Sequence, residues 1–212
     1  MLFRSSANRF FDFDRAITNY GILADSPRFA NSTDPRIITR RADALVNTAI
    51  ILEQLGRNRE ARTYYQRVHR EVTDPETRRL ALYRIAEITY EESSGGTAGI
   101  RAMRDFINEY RNDPSAAELV IRANFRIAEA YAAMRASATQ RRDYEAALRA
   151  TVSAFNESRL PPGSVAAEYA AEAHFRLVDE IEAFEATKIT MSTPRTLEDY
   201  VRELLAQIEQ AA

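Results

Sequence analysis

The chain has no cysteine among its 212 residues. That excludes disulfides, thiolate metal sites and cysteine nucleophiles together. Lysine is almost as scarce: Lys188 stands alone, and every other basic residue is arginine. The arginines are scattered and the formal net charge is −2, so no global field draws the chain toward nucleic acid or an anionic membrane. Apolar runs are short, as in Ala49-Ile50-Ile51-Leu52. None approaches the ~20 residues that span a bilayer. The opening MLFRSSANRFFDFD has no apolar h-region and does not read as a signal peptide as it stands.

Signatures of catalysis are missing too. There is no Gly-x-Ser-x-Gly nucleophile turn. The stretch SSGGTAG, from Ser93 to Gly99, has no lysine after it and no strand before it, so it is not a phosphate loop. It reads as a flexible joint between helices. His69 and His174 lie far apart, without the His-x3-His or Glu-x2-His spacing of a helical metal site. The sequence therefore offers no catalytic, cofactor-binding or metal-ligating residue, and no cofactor is expected.

What the sequence does contain is helical periodicity nearly throughout. Leu45, Thr48, Ala49, Leu52 and Leu55 recur at steps of three and four. So do Leu82, Ile85, Ala86 and Thr89, and again Ile127, Ala128 and Tyr131. No segment shows strand alternation. Stop signals separate the periodic stretches: Asp25-Ser26-Pro27, Asp34-Pro35, Gly56, Asp74-Pro75, Asp113-Pro114, Pro161-Pro162-Gly163 and Thr193-Pro194. Several pair an N-cap residue with a proline just inside the next helix. The pattern predicts an all-α chain of about nine helices in antiparallel pairs with short connections.

The chain also repeats itself. Tyr83-Arg84-Ile85-Ala86-Glu87 returns as Phe125-Arg126-Ile127-Ala128-Glu129, and more loosely as Phe175-Arg176-Leu177-Val178-Asp179. A second signature marks the following helices: a small residue, a large one four later and an apolar one three after that. Ala61, Tyr65 and Val68 carry it, as do Ala147, Thr151 and Ala154, and Ala16, Tyr20 and Leu23. With these residues the chain resembles the tetratricopeptide repeat, a helix–turn–helix with a small residue where paired helices cross. The best copy runs over 42–75. A half repeat falls at 8–27, further repeats at 79–114 and 121–158, and a degenerate one at 165–212. Spacings exceed the ideal of about 34 residues, but HEAT-like repeats of about 40–47 residues lack the second-helix mark seen here. The phrases ALYRIAEITYEE and AHFRLVDEIEAF are similar to long-spaced tetratricopeptide proteins of the bacterial envelope.

The resemblance implies an α-solenoid, a right-handed superhelix of helix pairs, that binds a protein or peptide in its concave groove. In that frame Ala86, Ala128 and Val178 align with Ala49 at the helix crossing. The other side of each first helix then lines the groove, with Tyr83, Arg84, Glu87, Phe125, Arg126, Glu129, Phe175, Arg176 and Asp179. The arginines and acids are expected to zip neighbouring repeats together. The three rings are expected to face solvent and grip a partner, as interface anchors do. The first repeat departs from this motif with Val46, Asn47 and Ile50, which makes its end of the groove more apolar. An enzyme using Glu87 and Glu129 as acid and base is the remoter alternative. Self-assembly is another, because both ends carry apolar stripes: Phe10, Phe13, Ile17 and Tyr20, and Tyr200, Val201, Leu204 and Ile208. Such stripes predict a piece of a longer repeat protein, or ends covered by association.

Overall fold

The computed structural model describes residues 12–134 and 138–191, with side chains as far as residue 180. Among these residues there are nine α-helices and no strand. They are α1 (Phe13–Asp25), α2 (Pro27–Ala30), α3 (Pro35–Gln54), α4 (Asn58–Glu71), α5 (Pro75–Glu92), α6 (Thr97–Tyr110), α7 (Ala117–Met134), α8 (Ala138–Glu157) and α9 (Val165–Met191).

The Asp-Pro pairs start helices for a local reason. Asp34 accepts a hydrogen bond from the Arg36 amide at 2.9 Å, and Asp74 accepts one from Thr77 at 2.8 Å. Each carboxylate satisfies an amide that the first helical turn leaves orphaned, while the proline removes another. Asp113 does the same for Ser115 at the head of a short 3-10 turn, Pro114–Ala116. At the other end, Gly56 takes a left-handed φ of 72° just after α3, where a Cβ would be strained.

The joint between α5 and α6 is a tight turn from Ser93 to Gly96, and Thr97 to Gly99 already form the first turn of α6. Gly95 bonds back to the Tyr90 carbonyl at 2.9 Å, and the Gly99 amide donates to Ser93 Oγ at 3.1 Å. A Cβ on Gly99 would sit 2.7 Å from the Tyr90 Cα. The glycine is therefore required where α6 folds closely back on α5.

Helices pack in chain order. α3 packs on α4, α5 on α6 and α7 on α8, and the second member of each pair also packs on the first member of the next. α1 lies against α3, and α9 touches both α8 and α7. The small residues Ala49, Ala61, Ala86, Gly99 and Ala128 are buried at these crossings. Val178, expected at the same position in α9, is instead exposed, because none of the described helices covers that side. Ile17, Tyr20 and Leu23 of α1 pack on the core of α3 and α4, so this part of the N-terminal stripe is partly covered. Phe10, Tyr200, Val201, Leu204 and Ile208 lie outside the described residues.

The core has two parts, and α5 belongs to both. Ala81, Ile85 and Ile88 face α3 and α4. Tyr83, Ala86 and Tyr90 face the core built by α6 to α9. Both sets recur at helical steps, so α5 carries two apolar stripes instead of one.

Candidate functional site

That double-sided helix decides where the motif residues go. Tyr83 is 2% exposed and Phe125 5% exposed. Neither is a solvent-facing anchor, which corrects the expectation that three rings line a groove. The Tyr83 ring meets Phe106 edge-on at 5.2 Å, and the Arg122 guanidinium lies 5.5 Å from its centre. The Phe125 ring meets Tyr169 at 5.2 Å, with Arg176 at 5.1 Å. Each ring is thus capped by an arginine from the next helix pair, a contact that favours burial through the ring's negative face. Burial also pushes the Tyr83 hydroxyl well above the usual tyrosine range. Phe175 alone remains in the open, 63% exposed.

The charged members of the motif link the helix pairs. Arg84 of α5 donates to Glu87 at 2.6 Å and reaches back to Glu53 of α3 at 2.7 Å. Glu87 is buried and also accepts from the Tyr83 hydroxyl at 3.1 Å and from Arg122 of α7 at 2.8 Å. Glu53 accepts the Tyr65 hydroxyl at 2.7 Å. Three first helices are therefore joined by one run of charge-assisted bonds. Burial works to lower the Arg84 guanidinium, but Glu53 and Glu87 together hold it above the ordinary arginine range. Arg126 pairs with Glu129 at 2.9 Å and lies 5.6 Å from the centre of the Tyr90 ring. Arg176 pairs with Glu172 at 2.7 Å rather than with Asp179, which is exposed.

Asn47 and Ile50 stand apart from these. They line two adjoining clefts between α3 and α5. The first has a volume of 620 Å³. Its walls are Val46, Ile50 and Glu53 on one side and Leu80 and Arg84 on the other, over a floor of Tyr65 and Val68 from α4. The second, of 480 Å³, continues past Val46 and Thr77 to Asn47, Asp43 and the loops before α3 and α5. Two large apolar side chains are left in water at the first cleft, Ile50 at 38% and Leu80 at 44% exposure.

The register explains the opening. Aligning Ala49 with Ala86 puts Val46 where α5 has Tyr83 and Glu53 where it has Tyr90. Arg84 and Arg126 share a position, and each reaches back to the same place one pair earlier. Between α5 and α7 that place is filled by rings. Between α3 and α5 it holds a valine and a carboxylate, and space remains. The departure at Val46, Asn47 and Ile50 was the visible signal. Leu80, Tyr65 and Glu53 completed the cleft without one, because they meet only after the pairs stack.

A larger cleft of 900 Å³ lies between α6, the start of α7 and the end of α8. Its walls are largely alanine, asparagine, serine and loop backbone, and its Val120 is buried. It exposes no large apolar side chain comparable to Ile50 or Leu80. Among the described residues no group of histidine and carboxylate side chains could hold a metal, and no helix is long and apolar enough to cross a membrane. His69 Nδ1 lies 3.3 Å from the Arg78 carbonyl, at the α4–α5 contact.

Compared with protein-family models, curated proteins and solved structures, the chain matches none of them.

Proposed function

We propose that the chain is a non-catalytic helical-repeat scaffold of the tetratricopeptide type, which binds a protein partner in the cleft between α3 and α5. One observation carries the reading. At the boundary where ring and arginine do not fill the space, Ile50 and Leu80 stay in water beside a 620 Å³ cleft. Exposed apolar side chains around a concavity are what a partner's side chains bury. The rigid frame favours affinity, since the linked first helices need little ordering on binding. The motif carboxylates support a structural role over acid–base chemistry. Both Glu87 oxygens are occupied by donors, and Glu129 is tied to Arg126.

The test is site-specific photo-crosslinking. A benzophenone side chain is placed at residue 50 or 80, with residue 55 as control, because Leu55 is equally exposed but lines neither cleft. Crosslinks from 50 and 80 to one protein, absent from 55, support the reading. Equal labelling at all three would defeat it.

A second reading rests on α9. Phe175 occupies the position at which Tyr83 and Phe125 are each capped by the next pair, yet it is open, with Val178 exposed beside it. This face fits association with another helical pair. Sedimentation of the Phe175→Glu variant decides it: a concentration-dependent assembly lost on substitution supports it, and an unchanged profile excludes it.

A further inference from the structure

The charges around the α3–α5 clefts are unevenly matched. Two guanidiniums line them, and both are already engaged. Arg84 lies between Glu53 and Glu87. Arg41 bonds to Glu71 and to the Ala24 carbonyl. Three carboxylates have no such cation. Glu91 lines the first cleft, is exposed and makes no ion pair among the described residues. Asp43 lines the second cleft in the same condition. Asp74 also lines the second, and its hydrogen bonds come from Thr77 rather than from a basic side chain. Arg40, one turn before Asp43, lines neither cleft.

The three acids are not spread at random. Asp74 caps the start of α5 and Glu91 sits near its end, while Asp43 lies midway along α3 and lines the second cleft with Asp74. The 17 residues from Asp74 to Glu91 rise roughly 25 Å at about 1.5 Å each. Between these ends lie the apolar walls Val46, Ile50 and Leu80. The clefts thus present an apolar middle with unpaired negative charge at both ends.

We infer that the partner is a protein segment with an apolar centre and lysine or arginine on both sides of it. The inference rests on the cleft being the binding surface, as proposed above. Apolar side chains fill the space between Ile50 and Leu80, and the basic flanks meet Asp43 and Asp74 in the second cleft and Glu91 at the far end of the first. Charge complementarity of this kind sets partner choice and encounter rate more than total affinity, and it weakens with salt. An acidic segment would be rejected, since it would bring like charge onto carboxylates that have no cation to spare.

The experiment selects ligands without assuming one. A phage-displayed library of random peptides of about 17 residues, long enough to cover the clefts as a helix, is panned on the full 212-residue chain. Clones that also bind the Ile50→Asp variant are discarded. The remaining clones are expected to carry net positive charge, with Lys or Arg toward their ends. Their affinity for an Asp43→Lys, Glu91→Lys double variant is expected to fall about ten-fold or more, and to fall for the parent chain as salt is raised. Both substituted residues are exposed, so circular dichroism should show the fold intact. Cleft-dependent clones that are neutral or acidic, or that bind the double variant equally well, overturn the inference about charge and leave the cleft standing. A selection in which no clone is sensitive to Ile50→Asp overturns the cleft itself, and this inference with it.

Discussion

The boundary between α3 and α5 and the boundary between α5 and α7 share one register and have opposite outcomes. At the second, Tyr83 and Tyr90 project from α5, and Arg122 and Arg126 of α7 lie over them. At the first, Val46 and Glu53 stand in those places, Arg84 arrives as before, and a cleft stays open. The backbone plan is the same in both. What differs is the side chain at two positions of the earlier helix, Val46 and Glu53 for Tyr83 and Tyr90, and at one of the later helix, Leu80 for Arg122. A repeat protein can therefore open a binding surface by changing a few side chains at one boundary, leaving the order of helix packing as it is.

The closed boundary is the easier to break. Phe125→Ala should cost about 3–5 kcal/mol, the usual toll for removing a buried ring. Phe175→Ala, at the same motif position but exposed, should change stability by less than about 0.5 kcal/mol. Urea titration of the two variants checks this. Similar losses in both would mean that motif position, not capping by the next pair, determines burial.

Gly99→Ala strikes the same boundary indirectly. Its Cβ would meet the Tyr90 backbone at 2.7 Å, and Tyr90 is the ring that Arg126 covers. Overpacking of this kind costs about 1–3 kcal/mol. A thermal melt as high as that of the parent chain would show that α6 can shift away without loss.

Charge also fastens the helices around the open boundary. Burial pushes the Glu71 carboxyl up, but Arg41 and Arg67 outweigh it and hold it below the ordinary carboxylate range. A depressed carboxylate stabilises the fold above its unfolded pKa, and that contribution is lost as pH falls through the folded value. Stability should therefore hold at neutral pH and decline below about pH 4. In Glu71→Gln the decline should be shallower. Urea midpoints between neutral and acid pH test this, and identical slopes for parent and variant would contradict it.

How much of this was legible beforehand follows from the same contrast. Helices, joints and crossing residues could be read because they depend on neighbours in sequence. Ala61, Tyr65 and Val68 repeat at helical steps and are buried together. Asp-Pro pairs announce helix starts that need only the next few residues. The faces of Tyr83 and Phe125 were misread because a single apolar stripe per helix was assumed. A helix stacked between two others carries two stripes, and α5 shows both. The joint around Gly95 and Gly99 looked flexible because glycine permits flexibility, whereas here it permits close approach. The cleft was half visible. Val46, Asn47 and Ile50 broke the motif, but Leu80 and Tyr65 join them only through tertiary packing.

The central claim is that the α3–α5 boundary binds because it is unfilled. Val46→Phe puts a ring where α5 has Tyr83 and tests the claim directly. With 620 Å³ available, the substitution should change stability by no more than about 1 kcal/mol. Photo-crosslinking from residue 80 in this variant is the decisive measurement. The account predicts a folded chain whose crosslinks from residue 80 to its partner are lost. A folded Val46→Phe chain that still crosslinks from residue 80 as the parent does would contradict it.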